Sequence, residues 1–286
     1  MKILPSLLGI LGVLAVTGLL RAGQLPTAAG ETHQPSAKGI QDNSFLIEEA
    51  YNQEAGVVQH IFNLRRDINK KVGPDDRNWQ FVFTQEWPLF SQTHQISYTV
   101  PYSWLNSGGQ KVDGSDDVLL NYRFQALYED KTKPAFAPRL SLVLPTGNES
   151  KGLGDDTLGY QINLPLSKIV HDRLTLHANA GLTFFPDLNG RNPVSYTLGG
   201  SFIYAPNRTF NLMLESVAEW GETVNGGGAI DREFSAVISP GARYAFNFVN
   251  GSQLVVGLAA PVGLTSSAPD YSVFFYLSFE HFFHRP

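Results

Sequence analysis

The 286-residue chain has no cysteine and only two methionines, and charged residues make up just 16% of it. Without cysteine there are no disulfides, no thiolate metal ligands and no thiol nucleophile. Basic residues are also scarce: 21 Lys and Arg face 26 Asp and Glu, a net charge of −5. No basic stripe exists to neutralise phosphates, which argues against nucleic acid as a partner. Helical periodicity is absent from Val57 onward. The chain is instead rich in glycine (27), phenylalanine (19) and tyrosine (11), a composition that fits many short strands and turns. Disorder needs low hydrophobicity and high charge, the opposite balance.

At the N-terminus Lys2 precedes an apolar run, Ile3 to Leu20, which Arg21 breaks before small residues follow. This is the layout of a secretory signal peptide within residues 1–29, with cleavage expected after Ala22 or after Ala29. A single membrane anchor is the alternative, because the run is close to the ~18 residues such a span requires; Pro5, Gly9, Gly12 and Gly18 weaken it. Residues 30–56 form a lead segment on the periplasmic side, and residues 57–286 the body of the protein. Gln24 to Asn43 reads as a linker. Ser44 to Glu54 (SFLIEEAYNQE) reads as a short helix or a strapping segment. Its three glutamates raise the idea of a cation site, although a solvated acidic face is the commoner origin of such a run.

Period-two alternation then recurs in segments of about ten residues. In Tyr271 to Phe283, the residues Tyr271, Val273, Phe275, Leu277 and Phe279 share one face, with Ser272, Ser278 and Glu280 on the other. Phe210–Trp220, Val118–Tyr128 and Leu174–Phe184 behave alike. Further segments run at 79–90, 95–105, 135–146, 158–169, 193–205, 233–246 and 253–264. With a first strand near 57–66 they total about twelve. Short connections (91–94, a turn near Thr132, 171–172, 206–208, 250–251) alternate with longer polar ones (67–78, 106–117, 147–157, 186–192, 221–232, 265–270). Such sorting is how outer-membrane barrels thread a bilayer. A soluble sandwich has no reason for it. The expected fold is therefore all-β: a transmembrane antiparallel up-and-down β-barrel of about twelve strands, in the outer membrane of a Gram-negative bacterium.

Charged and polar residues gather on the face opposite the apolar one, and almost none interrupts the apolar face. The residues expected to line a pore are Glu86, Asn121, Arg123, Gln125, Arg139, His177, Asn179, Glu215, Glu219, Glu233 and Arg243. A lipid-facing Arg or Lys at mid-membrane costs about 2–4 kcal/mol, whereas interior charges are hydrated or paired. The interior charges would form either a selectivity constriction or a set of ion pairs plugging a barrel of intermediate width. Trp79, Trp87, Trp104 and Trp220 lie near strand ends, where interfacial girdles sit. Prolines are normally kept out of interior strands. Pro240 with Gly241 and Pro261 with Gly263 thus mark a candidate wall seam, either a lateral opening or an ordinary bulge.

Two stretches, Asn43–His60 (NSFLIEEAYNQEAGVVQH) and Pro138–Leu166 (PRLSLVLPTGNESKGLGDDTLGYQINLPL), resemble the outer-membrane "transporter" proteins grouped with the phenol-degradation MetA-pathway family. The C-terminal aromatic alternation resembles the signal read by barrel-assembly machinery, departing from it by His284-Arg285-Pro286. The resemblance implies a channel for small molecules, including apolar or aromatic ones. Its expected partners are outer-membrane lipid, a small-molecule solute and the assembly machinery, and no cofactor is implied.

Enzymatic alternatives find little support. His177 beside Asn179 is the histidine best placed for a wall-embedded lipid hydrolase, but neither a His-x-Ser-Asn-Gly pattern nor a Gly-x-Ser-x-Gly elbow is present. Asp155-Asp156 with Glu149 lacks the spaced ligands of a calcium loop. Gly226–Gly228 lacks the Lys-Ser/Thr of a phosphate loop and reads as a loop tip. A structural or adhesive barrel is the remaining alternative.

Overall fold

The computed structural model describes residues 40, 42–70, 77–107 and 109–283; the expected signal peptide lies outside them. Fifteen strand segments follow one another: β1 (Val57–Ile68), β2 (Arg77–Leu89), β3 (Ser91–Ser107), β4 (Gln110–Ser115), β5 (Val118–Phe124), β6 (Ala135–Phe136), β7 (Arg139–Leu144), β8 (Gly159–His171), β9 (Leu174–Phe184), β10 (Val194–Asn207), β11 (Phe210–Val224), β12 (Ile230–Asn247), β13 (Gln253–Ala259), β14 (Val262–Gly263) and β15 (Tyr271–Phe282). Three wall strands are interrupted, at Asp116-Asp117 between β4 and β5, at Ala137-Pro138 between β6 and β7, and at Ala260-Pro261 between β13 and β14. Proline has no N–H to give the ladder, which accounts for two of the breaks. The segments thus make a 12-strand antiparallel barrel. It closes through twelve residue pairs, from Val57↔Phe282 to Ile68↔Tyr271, leaving no free edge.

The barrel is apolar outside and polar inside. On β11 the alternation places Asn211, Met213 and Glu215 inward and buried, while Leu212 and Leu214 point outward, 46% and 47% exposed. Buried residues elsewhere on the wall are largely Ser, Asn, Gln, Glu and Arg, and large exposed ones are Leu, Phe and Tyr. A soluble protein distributes them the other way. Charges depart from the expectation of an almost uncharged outer face on the hairpin extensions, as in the Arg232–Glu222 pair, and at two positions within the expected strand segments. Arg66 lies over the Trp79 ring at 5.1 Å, and the Lys168 ammonium is 2.9 Å from Glu129 Oε1. Both sit near strand ends, where a long side chain can reach the interface. Trp79, Tyr102, Trp104, Trp220 and Phe234 cluster at the long-loop end, with Tyr102–Trp104 centroids at 4.6 Å and Trp220–Phe234 at 5.0 Å. Trp87 and Phe283 pair at the opposite end.

Strand boundaries differ from expectation mainly at the loops. Residues 106–117 are not an irregular loop: β3 and β4 continue pairing to Ser107↔Gln110. In 221–232, β11 and β12 likewise pair as far as Val224↔Ile230. Polar side chains on these extensions hid the strands, because a hairpin beyond the apolar band needs no alternation. At the short-turn end, Ser91–His94 belongs to β3, and the chain reverses at Phe90, with φ of 65°.

Candidate functional site

From Asp42 to Gly56 the chain forms a strap inside the barrel. The described residues from Asp42 to Gly56 form no helix and no strand. They pass around the inner wall, mostly toward the short-turn end. An extended segment without ladder partners leaves its backbone amides unpaired, and burying them so would be costly. Interior side chains supply the missing partners. Glu215 Oε1 accepts from Leu46 N (2.9 Å) and Ile47 N (3.2 Å), and Asn179 Oδ1 accepts from Glu48 N at 2.8 Å. Ser167 Oγ accepts from Ala50 N (2.7 Å), Gln125 Oε1 from Asn52 N (2.9 Å) and Gln95 Oε1 from Gln53 N (2.8 Å). Arg243 donates to Asp42 O and Asn43 O, at 2.9 and 2.6 Å.

Arg123 is the hub. Its Nε donates to Asn52 Oδ1 (2.8 Å), and its terminal nitrogens donate to Glu48 Oε1, Glu49 O, Tyr51 O and Gln95 Oε1. Glu86 Oε2 lies 3.7 Å away. Arg139 meets Glu48 at 2.9 Å and also donates to Asn121, Ser141 and Gln161. Asn163 donates to Glu48 Oε2 at 2.6 Å. Burial opposes ionisation of Glu48, but the Arg139 and Arg123 guanidinia outweigh it and hold the carboxyl below the usual carboxylate range. The expectation of a solvated acidic face on the strap is thereby corrected. Glu48 is largely buried because the wall presents Arg123 and Arg139 to it; Glu49 is buried as well, and only Glu54 is exposed.

Glycines in the wall make room for the strap's apolar side chains. A Cβ on Gly257 would lie 2.5 Å from the Phe45 ring, one on Gly241 2.7 Å from it, and one on Gly199 2.3 Å from Ile47 Cδ1. Phe45 also packs on Phe274 and Tyr276, with centroids at 5.6 and 5.3 Å. Sequence reasoning missed this cradle. The signal was there as glycines at inward positions of otherwise bulky strands, but nothing local says what fills the gap.

Of the residues expected to line a pore, Glu86, Asn121, Arg123, Gln125, Arg139, His177, Asn179, Glu215 and Arg243 are buried on the inner face. Most of them touch the strap. Glu219 is half-buried, and Glu233 is exposed toward the long-loop end. His177 Nδ1 lies 2.6 Å from Ser167 Oγ. No carboxylate among the described residues bonds to this His177, and Ala50 and Tyr51 of the strap cover the pair. At the candidate seam, Gly241 faces Ala259 and Gly263 faces Val237, so the two glycines are not neighbours. Ala260 N donates to Pro240 O at 2.9 Å across the gap, and Leu264 N to Ala236 O at 2.8 Å, and the register from Gly241↔Ala259 to Ile238↔Val262 is unshifted, with no residue inserted on either strand. The loop around Asp155 is closed instead by Asp117, which accepts from Gly147 N and Asp155 N at 2.8 and 2.7 Å. Among the described residues no three His, Asp or Glu side chains gather as metal ligands.

No protein-family model matches the chain, and no curated protein does. Solved structures do. The NanC porin is 9% identical, with 77% of this chain covering 98% of it at a TM-score of 0.47. The KdgM porin in complex with disordered oligogalacturonate is 12% identical (80% and 99% covered, TM-score 0.42). A mutant of the TodX monoaromatic hydrocarbon channel is 10% identical (81% and 91% covered, TM-score 0.41). The chain is similar to these outer-membrane porins and channels in its barrel form. These likenesses do not confirm the MetA-pathway grouping, which is a resemblance of the two stretches quoted for it. In the structure they touch: Glu48 from the first binds Arg139 and Asn163 from the second.

Proposed function

We propose that the protein is an outer-membrane channel for small solutes whose width toward the periplasmic, short-turn end is set by the strap. The observation that carries this reading is the inverted wall: a closed barrel with an exposed apolar exterior, a buried polar interior, and a segment held there chiefly by side chains. Exposed leucines and aromatics in such numbers need acyl chains around them. The interior amides, hydroxyls and charges need water, solute or protein. Across the short-turn half the strap meets that need, and its attachment by hydrogen bonds without a β-ladder makes it displaceable.

The resemblance points to small apolar or aromatic solutes, while the lining favours small polar ones. Liposome swelling with graded sugars, amino acids and aromatic alcohols ranks them. The test of the channel itself is planar-bilayer conductance of the mature chain, with and without residues 24–56. Removal of the segment is expected to raise conductance severalfold; equal conductance, or none in either form, sinks the reading. The hydrolase alternative has one observation in its favour, the Ser167–His177 contact. Labelling of Ser167 by a fluorophosphonate would support it. The geometry opposes it, since the Ser167 oxygen already accepts the Ala50 amide.

A further inference from the structure

At the short-turn mouth, a pocket of about 140 Å³ lies between the strap and β15, with Glu49, Glu54 and Glu280 around it and Tyr51, His281 and Phe282 among its other walls. Three carboxylates alone would be an ordinary acidic mouth. What sets this one apart is Glu49, which is only 6% exposed. Its backbone N–H is held by Asn43 Oδ1 and its carbonyl by Arg123. Its carboxylate, by contrast, makes no hydrogen bond and no ion pair with any described residue, and it lines the pocket. Buried carboxylates are normally paired. Its neighbour Glu48 has two arginines.

We infer that this pocket binds a small organic ammonium ion, with Glu49 as the buried counter-ion and Glu54 and Glu280 closing around it. Size supports the class: a cavity of roughly 150 Å³ accepts a molecule of about six heavy atoms. A bare metal ion fits worse. The carboxylates surround a space rather than converge on a point, and no three acidic or histidine side chains among the described residues gather as ligands. The mixed lining suits an ammonium on a short alkyl chain, since Val57 and Phe282 offer apolar surface beside the acids.

Charge around Glu49 reinforces the inference. Asp42 and Glu86 act on Glu49 as like charges and Arg123 and Arg243 as opposite ones, while Tyr51, Glu54, Glu280 and His281 share its pocket. Burial, and after it the Asp42 carboxylate, pushes the Glu49 carboxyl up to about 8. With no cation bound the Glu49 carboxyl therefore holds a proton at neutral pH, and an entering ammonium displaces it. The site stands whether or not the barrel conducts.

Calorimetric titration of the full mature chain in detergent with 1,4-diaminobutane tests it, at pH 7 in two buffers of different ionisation enthalpy. Saturable binding with release of about one proton per ligand is expected, and no binding of the uncharged 1,4-butanediol. Glu49→Gln should abolish the proton release and weaken binding at least about tenfold, the loss of one charge-assisted hydrogen bond. Heat-modifiable gel mobility reports whether that variant folds. Should it not, Glu54→Gln at the exposed rim is expected to weaken binding by a smaller factor, about threefold. Absence of saturable binding, binding without proton release, equal binding of the diol, or preference for Ca²⁺ over the diamine would each overturn the inference.

Discussion

The two halves of the barrel interior are built from the same residue types and treated differently. In the short-turn half, Gln95, Gln125, Ser167, Asn179 and Arg243 spend their polar atoms on the strap's backbone. Toward the long loops, Asn63 Oδ1, Arg65 Nε, Asp116 Oδ1 and Thr183 Oγ1 are buried without a protein partner. Glu215 Oε2 and Ser239 Oγ, near mid-wall, share that state. Polar groups in this condition are satisfied by water or solute. The comparison teaches that an alternating wall only makes an interior polar. Whether the interior is occupied by the chain or left to solute depends on where a distant segment runs.

Arg123→Ala should break this comparison hardest. It removes the hub, leaves Glu48 with Arg139 alone and takes from Glu86 its arginine, and leaving one partner of a buried pair alone costs about 3–5 kcal/mol. Amide exchange at Tyr51 and Asn52 should rise toward that of an undocked segment, with the barrel itself intact. Gly257→Val comes next. Its side chain collides with Phe45, and overpacking of this kind costs about 1–3 kcal/mol. Adding Phe45→Ala should recover part of the loss, and a double-mutant cycle on strap protection from protease measures the coupling.

Acid should loosen the strap more gently. The folded carboxyl of Glu48 lies below its ordinary value of 4.5, so its contribution is present above that value and fades as pH falls through the depressed one. Strap amides should lose protection below about pH 4.5 in the wild type. The acid dependence should shrink in Glu48→Gln, and an unchanged profile would exclude Glu48 as its source. Smallest of all is Thr183→Val in the half the strap leaves free. Its hydroxyl has no protein partner to lose, so thermal stability should change by under about 0.5 kcal/mol. A larger loss would show that the two halves are not so different.

Much of the wall was legible because its rules are local. Leu174–Phe184 was expected as a strand over those residues and is one; the segment 253–264 was expected whole and is broken at Ala260-Pro261. Polar extensions such as Gln110–Ser115 were read as loop, since beyond the apolar band alternation loses its meaning. Arg123 and Arg139 were legible as interior charges, but the choice between constriction and ion-pair plug was not, because their partner Glu48 lies 75 and 91 positions away.

By itself, then, the sequence determined which side chains face in and which face out, how many times the chain crosses, and that the inner face would carry arginines and glutamates. A two-residue period and a turn are properties of neighbouring residues. Only the tertiary structure decided that residues 42–56 lie inside, that Gly199, Gly241 and Gly257 seat Ile47 and Phe45, and that the Glu49 carboxylate is buried without an ion pair to any described residue. Those contacts join positions as far apart as Asp42 and Tyr276. Closing the cylinder brings such residues together, and no local pattern records which of the inward groups a passing segment will meet.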